Sequence, residues 1–131
     1  MRIRKKTYKD LEFCLDIDCW PYLLWGQLKE YTVMILELSA PMGFLIYKED
    51  EDVCRLKKIC IRENMRRFGL GGEAVRWLTD RYRLVIAELS EEEALGKEGV
   101  SPIAGLLVGS GFESNLKGGK YVFIKENRDS D

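Results

Sequence analysis

The stretch Ile59-Cys60-Ile61-Arg62-Glu63-Asn64-Met65-Arg66-Arg67-Phe68-Gly69-Leu70-Gly71-Gly72-Glu73-Ala74 decides how this chain is read. It begins in apolar, β-branched residues, turns through a polar loop with paired arginines, and enters a helix through three glycines. A helix start carries unpaired amide N–H groups and a partial positive charge, so it attracts anions, phosphate above all. Glycine lets the main chain approach such a group closely. Arg66 and Arg67 add attraction at longer range. The segment reads as a phosphate-binding loop between a strand and a helix.

Downstream, Ala74, Val75, Leu78 and Tyr82 recur at helical spacing and Leu84–Leu89 is a strand. Residues 53–89 therefore form a strand–helix–strand unit, whose two strands run parallel through a right-handed crossover. In its first strand, Val53–Ile61, strict alternation fails. Leu56, Ile59 and Ile61 share a face only if one residue is extra, which a β-bulge at Lys57-Lys58 supplies.

Upstream, Arg2–Lys6 reads as a short edge strand. Thr7 and Asp10 read as a capping box, with the threonine accepting from the first free amides of a helix that runs to about Trp20. Pro21 ends that helix, and a second covers Tyr22 to about Glu30. Tyr31–Leu38 and Phe44–Tyr47 are strands around an Ala40–Gly43 turn, and the acidic run Glu49–Asp52 is a solvated hairpin turn. Beyond the unit, Glu91–Gly99 reads as a charged loop. Ser101-Pro102 starts a helix that ends near Gly109–Gly111. Phe112–Asn115 and Lys120–Lys125 form a hairpin around Gly118-Gly119. The expected fold is α+β, a mixed and mostly antiparallel sheet of about six to seven strands with helices on both faces and one parallel β-α-β crossover with splayed strands. Residues 1–125 make one domain, and 126–131 are expected to fray.

Composition narrows the chemistry. The chain has 131 residues, 46% hydrophobic and 33% charged, and its charges nearly cancel at −1. That balance argues against nucleic acid as partner, although Arg2–Lys9 and Arg55–Arg67 are locally basic. There is no histidine, which removes the commonest general base and metal ligand, so no metal is expected. Cys14, Cys19, Cys54 and Cys60 lack zinc spacing and read as buried free thiols. No apolar run approaches the roughly 20 residues of a membrane span, and the basic start leads into no signal-peptide core. The expectation is a cytoplasmic protein.

Three phosphate loops compete for residues 59–74. A Walker loop requires Gly-Lys-Ser/Thr, which is absent. A dinucleotide fingerprint is matched by Gly69, Gly71 and Ala74, with Glu88 near the ribose position. It should, however, follow its strand directly within a mostly parallel sheet. The third is Arg66-x-x-Gly69-x-Gly71, which resembles the phosphate loop of the GNAT superfamily of N-acetyltransferases. A basic, bulged strand precedes it, and Ala104–Phe112 resembles the family's short helix ending in Gly-Phe, here Gly111-Phe112. The element order is similar over nearly the whole chain.

The resemblance implies that acetyl-coenzyme A is the co-substrate and that an amine, small molecule or protein, attacks its acetyl carbon directly. It implies that main-chain amides of Arg67 to Gly72 hold the pyrophosphate. Ile59 and Ile61 pair with the pantetheine arm between splayed strands. An amide near the bulge polarises the thioester carbonyl. The coenzyme-contacting residues so implied are Ile59, Cys60, Ile61, Arg66, Arg67, Phe68, Gly69, Leu70, Gly71, Gly72 and Ser101. The family's tyrosine acid corresponds to Leu107, and its helix-start asparagine to Val100, beside Ser101. Its acidic third-strand base falls on a basic strand, so Glu88 and Glu37 are the carboxylates available as base. Asp16, Asp18, Glu30 and the acidic 88–98 loop are available to attract a cationic amine. A non-catalytic coenzyme A-binding domain and a nicotinamide oxidoreductase are the alternatives, and a homodimer is compatible with the reading.

Overall fold

The computed structural model describes residues 1–10, 13–14, 30–62, 68–96, 99 and 101–127. Seven strands form one sheet: β1 (Arg2–Lys5), β2 (Thr32–Glu37), β3 (Pro41–Asp50), β4 (Val53–Ile61), β5 (Leu84–Ser90), β6 (Glu113–Lys117) and β7 (Lys120–Glu126). Their order is β1-β2-β3-β4-β5-β7-β6. Among these strands β4 and β5 are the parallel pair, and every other neighbour is antiparallel. The helices are α1 (Leu70–Arg81), α2 (Glu91–Leu95) and α3 (Pro102–Gly109). None of the described helices is long and apolar enough to cross a membrane.

Period-two alternation sends the strands' side chains to two cores. On one face Met34, Leu36, Leu45, Tyr47, Cys54, Leu56, Val85, Ala87 and Leu89 meet Ala74, Val75 and Leu78 of α1 and Ala104 and Leu107 of α3. On the other, Val33, Ile35, Phe44, Ile46 and Cys60 meet Cys14, which is helical and fully buried, with Phe13 against them. Arg62, just past β4, lays its guanidinium over the Phe13 ring at 4.8 Å. The rest of the two expected N-terminal helices lies outside the described residues.

The expected bulge is present. Ile46 faces Lys58 and Tyr47 faces Leu56, so Lys57 is the extra residue, and Leu56, Ile59 and Ile61 share the α1 face. The expected apolar stripe of α1 is buried throughout, Tyr82 at its end included. At the end of α3 the chain closes as a Schellman motif. Gly111 (φ 92°) donates to the Val108 carbonyl at 3.0 Å and Phe112 to that of Leu107 at 3.0 Å. The Lys125 ammonium donates to the Ser110 carbonyl at 2.7 Å, placing a cation at the negative end of the helix.

Four local expectations are corrected. Thr7 is not an acceptor cap. Its amide and hydroxyl both donate to Asp10, which ends a single 3-10 turn. β3 is longer than Phe44–Tyr47 because Pro41 already pairs with Glu37 and Asp50 still pairs with Val53, so Leu38–Ala40 alone make the turn before it. The acidic run is a turn only at Glu51-Asp52, with Glu51 at φ 57°. Finally, Glu91–Gly99 is not simply a loop. The Ser90 hydroxyl accepts from the Glu93 amide and the Glu93 carboxylate accepts from the Ser90 amide, each at 3.1 Å, which starts α2 with a reciprocal cap. At the other end, Glu126 still pairs with Leu84. Asn127 donates its amide to the Arg83 carbonyl and its side-chain amide to that of Thr79.

Candidate functional site

The site begins where the parallel pairing stops. β4 and β5 are paired from Val53 opposite Leu84 to Leu56 opposite Ala87, and no further. Lys57, the bulged residue, and Glu88 are the first residues past the last rung. From there β4 stays with β3 and β5 stays with β7, so the two strands part and open a wedge inside the sheet. The cause is local. A bulge adds twist and bend to its own strand only, so one partner turns away and the other does not. On the edge of β4 facing that wedge lie Ile59, Cys60 and Ile61.

At the wide end of the wedge α1 begins. Gly69 is its N-cap residue and takes a left-handed conformation, φ 75°, without any side-chain cap. The first helical bond runs from the Glu73 amide to the Gly69 carbonyl at 3.1 Å, so the Leu70, Gly71 and Gly72 amides precede the helical ladder. The three glycines do different jobs. Gly69 is required by its backbone angle. Gly71 is tightly packed, since a Cβ there would stand 3.0 Å from a methyl of Leu106 of α3, which would have to give by a few tenths of an ångström. A Cβ at Gly72 would meet nothing within 4 Å. Phe68 is exposed and Leu70 is buried. Arg66 and Arg67 lie outside the described residues. The described part of the loop thus offers free helix-start amides and open space, which suits a phosphate.

Ser101 is buried, and its hydroxyl accepts from the Ala104 amide at 3.2 Å as the cap of α3. Its oxygen is therefore committed to the helix. Leu107, at the position corresponding to the family's tyrosine acid, is fully buried in the core. The two carboxylate candidates are not brought together. Glu37 sits on β2 near the sheet edge, ion-paired with Arg4 of β1 at 3.0 Å. Glu88 is half-exposed just past the last rung, 4.0 Å from Arg55.

Arg55, Ile86, Glu88 and Ser90 alternate with the residues of the α1 core and therefore point to the opposite face. There they line a cleft of about 240 Å³ with Tyr31, Lys48, Leu56, Lys57, Glu93 and Lys120. The sequence reading missed its basic character, because the cations come from three strands, β3, β4 and β7, that only the sheet order brings together. Glu30, expected to attract a cation, is paired with Lys48 at 3.3 Å, and Asp16 and Asp18 lie outside the described residues. Cys14, Cys54 and Cys60 are buried, and burial pushes the Cys54 thiol up to about 12. Among the described residues no group of acidic or cysteine side chains could hold a metal ion.

No protein-family model and no curated protein sequence matches the chain. Solved structures do. A Bacteroides thetaiotaomicron protein assigned to the GNAT acetyltransferase family superposes with a TM-score of 0.72 at 14% identity, covering 98% of this chain and 89% of the other. A GNAT-family acetyltransferase from Elizabethkingia anophelis with acetyl-CoA bound gives 0.67 at 15% identity, covering 95% and 97%. The PaiA N-acetyltransferase of Thermoplasma acidophilum in complex with coenzyme A gives 0.68 at 13% identity, covering 95% and 98%. A dinucleotide-binding sheet, by contrast, is mostly parallel, and here β4–β5 is the one parallel pair among the described strands. The wedge, the bulge that opens it and the uncapped helix start are thus set in the fold of the GNAT acetyltransferases.

Proposed function

We propose that this chain is an acetyl-coenzyme A-dependent N-acetyltransferase working by direct transfer. The observation that carries the reading is the end of β4–β5 pairing at Leu56 and Ala87, at the bulge, in line with a helix start whose amides precede the ladder. In this reading the helix-start amides and the Arg66–Gly72 loop take the pyrophosphate. The pantetheine arm enters the wedge beside Ile59 as an added strand, which puts the thioester near Lys57 and Glu88. An amide at the bulge donates to the carbonyl oxygen as it gains charge.

The amine nitrogen attacks the acetyl carbon. A C–N bond forms, the C–S bond breaks, and the thiolate departs with the sulfur's electron pair. One ammonium proton goes to Glu88, directly or through water, before attack, and the nitrogen's second proton leaves the tetrahedral intermediate to the departing thiolate or to water. The thiolate needs no protein acid, since thiols ionise close to neutral pH, and the buried Leu107 supplies none. That same leucine favours the second reading, a coenzyme A-binding domain without turnover.

Two measurements separate them. Calorimetry with coenzyme A is expected to give saturable binding, and thiol release from acetyl-coenzyme A is expected with at least one member of a panel of primary amines. Binding with no thiol release for any amine supports the non-catalytic reading. No binding at all overturns both.

A further inference from the structure

The charge around Glu88 is the reverse of what a cationic acceptor would require. Arg55 and Lys57 of β4 and Lys120 of β7 surround the cleft at the head of the wedge. Lys57 and Lys120 have no carboxylate within ion-pair distance among the described residues, and Arg55 reaches Glu88 only at 4.0 Å. Lys48, a fourth cation, is partly answered by Glu30. Cations from separate strands thus share the cleft with two carboxylates: Glu93, which accepts from the Ser90 amide, and Glu88, half-exposed where the parallel pairing ends.

Resting on the acetyl-transfer reading, we propose that the acceptor is a primary amine that also carries an anionic group, a carboxylate or a phosphate. Lys57, Lys120 and Arg55 receive the anion while Glu88 receives the ammonium and takes its proton. A cleft of about 240 Å³ suits a small molecule or one residue of a chain end rather than a folded surface. The arrangement also gives selectivity by repulsion. A polyamine would bring a second cation against three, in a cleft whose walls shield them poorly.

Matched amines test this: ethanolamine against phosphoethanolamine for phosphate, and propylamine against β-alanine for carboxylate. Binding is measured by calorimetry on the coenzyme A-saturated protein, and turnover by thiol release. Putrescine is included as the dicationic competitor. At least one anionic member is expected to bind at least tenfold more tightly than its partner, with the preference shrinking as salt rises. Which pair shows it identifies the anion. In Lys57→Gln and Lys120→Gln, whose positions are exposed, the preference is expected to fall at least tenfold while the melting temperature stays within a degree or two. Equal binding within both pairs, tighter binding of putrescine, or variants that weaken all amines alike overturns the acceptor assignment and leaves acetyl transfer standing. Failure to bind coenzyme A at all overturns the transfer reading itself.

Discussion

Leu56 of β4 faces Ala87 of β5 across the last parallel rung of the sheet, and the residue after each belongs to the candidate site. One extra residue, Lys57, thus converts a continuous sheet into a wedge with charge at its head. The geometry makes the coenzyme loop testable without unfolding the protein.

Gly72→Asp is the informative variant. Nothing lies within 4 Å of the added Cβ, and removing a helical glycine relieves about 0.5–1 kcal/mol of backbone entropy. An acidic residue in a first helical turn adds a few tenths more. Stability is expected to hold or rise, while coenzyme A affinity falls at least thirtyfold through repulsion of the pyrophosphate. Thermal melts and calorimetry check both arms. Asp at Gly69 or Gly71 confounds them, through a positive φ at one and the side chain of Leu106 at the other.

Glu88→Gln keeps the shape of the cleft and removes the proton acceptor. With one identified amine, turnover near neutral pH is expected to drop at least tenfold and to recover as pH rises toward the amine's own ionisation near 10. An unchanged pH–rate profile assigns deprotonation to solvent. Glu37→Gln is expected to leave the profile alone, because Glu37 holds Arg4 instead.

Arg4 grips Asp10 through both carboxylate oxygens at 2.9 Å, and the Thr7 amide adds a third bond at 2.8 Å. Together they hold the Asp10 carboxyl at about 2. A depressed carboxyl stabilises the fold above its unfolded pKa and loses that contribution as pH falls from about 4 to about 2. Asp10→Asn is therefore expected to cost about 2 kcal/mol at pH 7. The gap to wild type should close across that acid window in urea titrations.

Leu107→Tyr restores the family's acid in name only. Leu107 is fully buried, so the larger ring overpacks the core and is expected to cost about 1–3 kcal/mol without raising turnover. Phe112→Ala, three positions beyond the last residue of the helix and buried against the same cluster, is expected to cost about 3–5 kcal/mol. Calorimetric melts with turnover measured in parallel decide both.

The Cys54 thiol, pushed up to about 12 by burial, is expected to resist iodoacetamide at pH 8.5 in the folded protein and to react fully in denaturant. Peptide mapping by mass spectrometry reads this directly.

The bulge was legible because Leu56, Ile59 and Ile61 break a period of two, and only an inserted residue repairs it. Gly69 was legible as a helix start, and Gly111 as a helix stop, because left-handed backbone leaves few other residues available. α2 was legible but hidden. Ser90 and Glu93 have capping-box spacing, yet the surrounding glutamates read as solvated loop. Thr7 reversed its expected role, donating to Asp10, and the further partner of Asp10, Arg4, comes from a strand whose placement no local rule gives. The basic cleft was not legible at all. Its cations sit on β3, β4 and β7, and their meeting is a property of strand order alone.

The wedge leaves two strand margins inside the sheet rather than at its rim. A guest that fills the gap completes the hydrogen-bonded ladder, so occupancy and folding become one equilibrium. Mass action then adds about 2.7 kcal/mol at a hundredfold excess over Kd. Scarcity of the guest would expose inner margins prone to pairing with other chains. On the proposed reading the guest is the acyl donor, whose supply would then set solubility and lifetime as well as rate.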